Sequence, residues 1–181
     1  MDEIVKKAIQ KWPDVPACYG WLGLDSRGDW YLRDDQVQRH GNFEESKGDK
    51  LSHRKLIEFI GRNYQQDDKG QYYFQNGPQK VFVELEVTPW VLRFDFEARV
   101  MTQTQQYVKS TQAYAYTDEL GRVYLDTELG IGLVHTMDMD RMADELANER
   151  WSLKELKVKE LEKKFNFIKS PAHEKSQSRV I

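Results

Sequence analysis

Four side chains in this sequence carry chemistry that their spacing makes worth weighing: Cys18, Glu84, Glu86 and His135. A thiol becomes a nucleophile when a histidine sits beside it. Cys18, the one cysteine, lies in PACYGW at the start of an expected strand, and nothing in the sequence places His53 or His135 near it. A free cysteine more often packs as a small hydrophobe. Glu84 and Glu86 alternate along an expected strand, so their carboxylates share a face about 7 Å apart, a separation at which two carboxylates work as acid and base. Pairing with Arg93, Asp95, Glu97 and Arg99 on the polar face of the next strand is the ordinary alternative. His135 precedes Asp138, Asp140, Asp144 and Glu145, a run that invites a metal. Acids also gather in the first turn of a helix, where the dipole favours them. Zinc would need further nitrogen or sulfur ligands, and His40, His53 and His173 offer no tight spacing. No metal and no cofactor are expected, and no catalytic residue is assigned beyond these four weak candidates.

A second group points to binding rather than catalysis. Aromatic residues concentrate on the expected strands, and alternation must turn some of them away from the core. Trp21, Tyr73, Trp90, Tyr114 and Tyr116, with Asn76 beside them in the chain's most marked turn, are the candidate ligand-binding residues; exposed aromatics on a sheet form pockets or stacking platforms. Strands favour aromatics in any case. Asn76-Gly77-Pro78 itself reads as a hairpin turn rather than a site, because asparagine and glycine tolerate positive φ between alternating strands. Gly130-Ile131-Gly132 lacks phosphate-loop spacing and stands within a strand, where glycine marks a bulge or close packing under a large neighbour. No P-loop, GxSxG, HExxH or paired CxxC motif occurs.

The elements that must position these residues follow from the hydropathy pattern. Ile4, Val5, Ala8, Ile9 and Trp12 recur at helical intervals until Pro13. Two short apolar runs flank Asp25-Ser26-Arg27-Gly28, a hairpin, and residues 36–50 read as an exposed loop. Ser52 is placed to cap a helix bearing Leu56, Ile57, Phe59 and Ile60 and running to about Tyr64. The period then drops to two: Tyr72 and Phe74 before the Asn76 turn, Val81, Val83, Leu85 and Val87 after it. Trp90, Leu92, Phe94, Phe96, Ala98 and Val100 form the longest clean alternation, read as one half-buried strand. Residues 102–112 read as a polar loop or extension, followed by strands in AYAYT, RVYLD and ELGIGLVHT. Asp138 caps one C-terminal helix, and Ser152 with Glu155 makes a capping-box pattern before a second carrying Leu153, Leu156, Leu161, Phe165 and Ile168. Its lysine-rich stretch KELKVKELEKKFNFIK could serve a protein partner.

The expected architecture is α+β: a bent, mostly antiparallel sheet of roughly eight strands, partly closed, packed by one internal helix and by C-terminal helices. One domain is expected over residues 1–170, with its sheet-rich core at about 17–137, helices at about 139–168 and a disordered tail at 171–181. The net charge of −3 over 181 residues supplies no basic excess for nucleic acid or anionic lipid. No apolar run approaches the length of a membrane span, and the opening residues MDEIVKKAIQKW lack the apolar stretch of a secretory leader. With a single thiol, these features point to the cytoplasm.

The phrases KWPDVPACYGWLGLD, FIGRNY, FQNGPQKVFVELEVTPWVLR and GRVYLDTELGIGLVHTMDM together resemble a bacterial, mainly proteobacterial, family of uncharacterised proteins about 180 residues long, a domain of unknown function. The similarity runs from about residue 11 to residue 140. It implies a single bacterial cytoplasmic domain and carries no catalytic residues. The reading that results is a non-enzymatic binding or protein-interaction module, regulatory in one version. It would take a small molecule or protein partner, a second copy included, but neither nucleic acid nor membrane. An enzyme, least implausibly a hydrolase using the carboxylates or Cys18, is the alternative.

Overall fold

In the computed structural model, which describes residues 1–177, helix α1 (Glu3–Lys11) stops at Trp12, just before Pro13, whose ring restricts the preceding residue to extended backbone. Strands β1 (Cys18–Leu24) and β2 (Trp30–Leu32) then form the expected hairpin. The loop expected over residues 36–50 is more ordered than its polarity suggested. It holds helix α2 (Asp35–Arg39) and strand β3 (Asp49–Lys50), and Asp34 caps α2 by accepting from the Val37 N–H at 2.8 Å. The organiser is the buried Arg33. Its guanidinium donates to the carbonyls of Ser46 at 3.0 Å, Gly41 at 2.8 Å and Gly20 at 3.3 Å. A buried cation must find acceptors, and here they are backbone oxygens, which leave no trace in the sequence.

Helix α3 (Arg54–Arg62) is capped by His53, one residue later than expected, through Nδ1 accepting from the Leu56 N–H at 3.2 Å. Strands β4 (Tyr64–Gln66), β5 (Tyr72–Asn76) and β6 (Gln79–Leu85) follow, with the tight turn at Asn76 borne out by the pairing Asn76↔Gln79. The alternation over residues 90–100 is not one strand. It folds back as β7 (Trp90–Phe94) and β8 (Val100–Thr102), with Phe94 opposite Val100 and Phe96 fully exposed at the tip. Then come β9 (Tyr107–Val108), β10 (Tyr114–Thr117), β11 (Val123–Thr127), β12 (Gly130–Val134) and helix α4 (Met139–Ala147). The second C-terminal helix is replaced by strand β13 (Ser152–Glu155) and the short helix α5 (Leu161–Phe165). The unpaired edge of β10 takes residues 152–155 as a parallel partner, and the ladder bonds so gained outweigh the weak helical preference of the capping-box pattern. Residues 171–177, expected to be disordered, form helix α6 (Pro171–Gln177); residues 178–181 lie outside the described residues.

The strands form two sheets rather than one, ordered β3-β2-β1-β6-β5-β4 and β13-β10-β11-β12-β7-β8-β9. Neighbours are antiparallel except β1/β6, β12/β7 and β10/β13. The α+β, mostly antiparallel class is borne out, with thirteen strands among the described residues in place of roughly eight, and neither sheet of those residues closed into a barrel. Two compact units result: Met1–Asp25, Asp29–Glu86 and the described segment from Phe167 in the first, Ser26–Gly28 and Val87–Asn166 in the second. Leu22, Leu24, Trp30, Ile60 and Val83 are buried in the first, and Leu92, Tyr124, Leu125, Ile131 and Met142 in the second.

One turn recurs across both units. Asp25, Asp67, Asp95, Thr102 and Asp118 each open a three-residue hairpin loop. In each, the side-chain oxygen accepts the N–H four residues on, that of Asp29, Gln71, Arg99, Gln106 and Arg122 respectively. The residue three after the opener has positive φ every time: Gly28, Gly70, Ala98, Gln105 and Gly121. Such loops need one left-handed residue to match the strand twist, and the Asp or Thr oxygen satisfies a donor that the turn strands.

Candidate functional site

The four catalytic candidates have separate environments. Glu84, on β6 and 3% exposed, accepts from Ser170 Oγ at 2.5 Å and from the Ala172 N–H at 3.0 Å. Burial raises its carboxyl above the usual range, while these two hydrogen bonds and the nearby Arg33 charge act against the rise. Its task is legible in its partners: it fastens the first turn of α6, where free backbone N–H groups await an acceptor. Glu86 binds Lys47 Nζ at 3.0 Å, and the same ammonium reaches the buried Asp25 at 3.4 Å. His135, in the second unit, is buried and turns Nδ1 to the Met137 N–H at 3.0 Å, capping a single turn of 3₁₀ helix at Thr136–Asp138. Asp138, the first acid of the run after His135, is engaged by Arg93. Cys18 stands opposite Val81, three residues along β6 from Glu84.

Cys18 does meet two of the ligand-binding candidates. A cleft of about 280 Å³ opens in the first unit, lined by Cys18 and Trp21 of β1, Phe74 and Asn76 of β5 and Gln79 and Val81 of β6, with Leu56 and Ile60 of α3 alongside. Period-two geometry explains the membership: Phe74 and Asn76 lie two apart, as do Gln79 and Val81, and so share a face. Tyr73, the residue before Phe74, faces the other way, onto Phe82 with ring centroids 5.7 Å apart. Trp21 is 42% exposed and Leu32, also lining the cleft, 47%. These two large, partly open apolar side chains adjoin an apolar recess, the kind of exposed apolar surface found at binding sites. At one end the carboxamides of Asn76 and Gln79 supply polarity; Gln79 Nε2 donates to the Pro16 carbonyl at 2.9 Å.

The remaining aromatic candidates belong to the second unit and have internal partners. Trp90 is buried and its indole N–H donates to the Leu129 carbonyl at 2.7 Å. Tyr114 and Tyr116 meet edge to face at 5.3 Å, and lysines cover them: Lys154 over Tyr114 and Lys164 over Tyr116 at 4.3 Å. Burial, then the Tyr114 hydroxyl, pushes the Tyr116 phenol far up. Sequence reasoning read Leu56 and Ile60 as part of a helical stripe and Phe74 as part of a strand alternation, and so missed them as cleft walls. The available signal was the α3 stripe itself, Leu56, Ile57, Phe59 and Ile60, an apolar face that must lie against other apolar surface.

Fold and site together define an α+β protein of two mostly antiparallel sheets with an apolar recess in its first unit. The chain belongs to the family described as "Protein of unknown function (DUF2946)", whose model matches residues 1–177; the resemblance to an uncharacterised family is thereby borne out, over a longer stretch than its phrases spanned. Two crystal structures of DUF1285 family proteins are similar in backbone. The one from Silicibacter pomeroyi DSS-3 is 11% identical with a TM-score of 0.49, covering 80% of this chain and 84% of its own. The one from Shewanella baltica OS155 is 17% identical with a TM-score of 0.43, covering 72% of this chain and 96% of its own. No curated protein matches the chain. No helix among the described residues is long and apolar enough to cross a membrane.

Proposed function

We propose that the protein is a non-enzymatic binding module whose first unit takes a small molecule with an apolar, ring-sized body and one hydrogen-bonding group. One observation carries the reading: the recess beside Cys18 is walled by aliphatic and aromatic side chains and ends in two carboxamides. That is the usual make-up of a small-molecule site, apolar walls with a few placed polar groups. Its volume of about 280 Å³ suits a ligand of up to three rings. The apolar body would cover Trp21 and Leu32, and the polar group would meet Asn76 or Gln79. The single thiol favours a cytoplasmic setting for this module, and the resemblance stated from its sequence phrases implies a bacterial one.

The test uses the neutral fluorescent probe N-phenyl-1-naphthylamine. Fluorescence should rise saturably with one probe per chain. Trp21→Ser and Leu32→Asn, both at exposed positions, should weaken binding about tenfold, as removal of one large apolar contact predicts. Leu120→Ser, at a 70% exposed position in the second unit, serves as the control that leaves affinity unchanged. A titration that never saturates, or wild-type affinity in both cleft variants, would dismiss the reading.

A further inference from the structure

The second unit holds a recess of a different character, of about 480 Å³, beside the β8–β9 hairpin. Its floor is apolar: Val100, Val108 and Trp151 are each buried to within 6% exposure. Its rim is cationic. Arg99, Lys109 and Arg150 line it, against a single lining carboxylate, Glu128.

The two guanidinium groups are held in place before any ligand arrives. Arg99 lies over the Tyr107 ring at 4.6 Å, with Asp95 on one edge at 2.7 Å and Glu97 at 3.2 Å. Arg150 lies over the Trp151 ring at 4.2 Å, and its Nη1 donates to the Ala98 carbonyl at 2.6 Å and to Glu145 at 2.9 Å. Those two bonds use one nitrogen of three, so Nε and Nη2 of Arg150 remain as donors. Lys109 contributes its backbone N–H to Glu128 at 2.6 Å, which ties that carboxylate down, while its ammonium forms no ion pair among the described residues. Stacked, pre-positioned guanidiniums suit carboxylate and phosphate oxyanions, because little side-chain freedom is lost on binding. Tyr107, 55% exposed, has one face on Arg99 and offers the other to a planar group.

We propose that this recess is a second binding site, for a small organic anion that places a carboxylate or phosphate between Lys109 and Arg150 and an aromatic or apolar body over Val100 and Val108. The site is independent of the cleft in the first unit and takes the opposite chemistry at its rim.

Calorimetric titration of the full chain with phenyl phosphate tests it, with benzoate as the carboxylate arm and phenol as the uncharged control. Saturable one-site binding of either anion is expected, with phenol far weaker. Lys109→Gln and Arg150→Gln should each weaken binding about tenfold, the loss that follows when one charge-assisted hydrogen bond is removed, and added salt should weaken wild-type binding. Lys109→Gln removes no ion pair from the fold and so keeps the test valid if Arg150→Gln destabilises the chain. Leu32→Asn should leave the titration unchanged, which separates this site from the first. Absence of saturable heat with both anions, binding of phenol as tight as phenyl phosphate in the Leu32→Asn chain, where the first-unit cleft is weakened, or wild-type affinity in Lys109→Gln would overturn the proposal.

Discussion

Gly132 is kept small by Leu92, and a double-mutant cycle measures how strongly. A Cβ added at Gly132 would stand 2.5 Å from Leu92 Cγ and 2.7 and 2.9 Å from its two methyl carbons, well inside the roughly 3.5 to 4 Å at which carbons attract. Gly132 does not have positive φ, so the penalty is steric alone. Leu92 is fully buried on β7, whose backbone pairs with β12 at that level, and cannot swing into solvent. Gly132→Ala should therefore cost about 2 kcal/mol, in the range for overpacking a core. Leu92→Ala alone should cost about 3 kcal/mol through lost burial and the hole it leaves. In the double variant the new methyl meets no leucine and fills part of that hole. The total should stay near about 3 kcal/mol rather than the sum of about 5, a coupling of about 2 kcal/mol. Urea unfolding followed by tryptophan fluorescence gives each value, with an unchanged denaturant slope as the check that only stability moved. Additive losses, or a Gly132→Ala variant within about 0.5 kcal/mol of wild type, would refute the packing argument.

Two further outcomes follow from groups that hold chain segments in place. Arg33→Met should cost about 3 kcal/mol, since three carbonyls lose a charged donor, and should open residues 41–48 to limited proteolysis; an unchanged cleavage pattern would show that the guanidinium does not organise this loop. Because burial raises the Glu84 carboxyl above its ordinary value of 4.5, the folded chain holds that proton more tightly than the unfolded one. Ionising Glu84 therefore costs stability as pH rises through the interval above the ordinary value. Glu84→Gln keeps an acceptor for Ser170 and Ala172 without the charge, so its stability relative to wild type should climb as pH rises from about 4 to about 8, and a difference flat across that interval contradicts the assignment.

The turns show how much was legible and why the rest was not. Where the hairpin loop carries its left-handed residue as glycine, at Gly28, Gly70 and Gly121, the sequence marks it, as the hairpin read at residues 25–28 shows. Where Ala98 or Gln105 takes that conformation, nothing local marks it. The strand over residues 90–100 and the loop after it were misread for that one reason. Asp95 was the remaining clue, but an aspartate in an alternating run reads equally as an outward-facing charge.

The sequence by itself determined the α+β class, the antiparallel habit, most strand positions and the tight turn at Asn76, because these rest on two-residue periodicity and local turn chemistry. Tertiary structure decided what depends on distant partners. It paired residues 152–155 with the edge of β10 and made them strand rather than helix. It ordered residues 171–177 by presenting the Glu84 carboxylate to their first turn. It brought Cys18, Trp21 and Asn76 together at one recess while setting Glu84, Glu86 and His135 each on separate partners. Convergence of side chains far apart in sequence is set by sheet order and register, and no pattern along the chain encodes either directly.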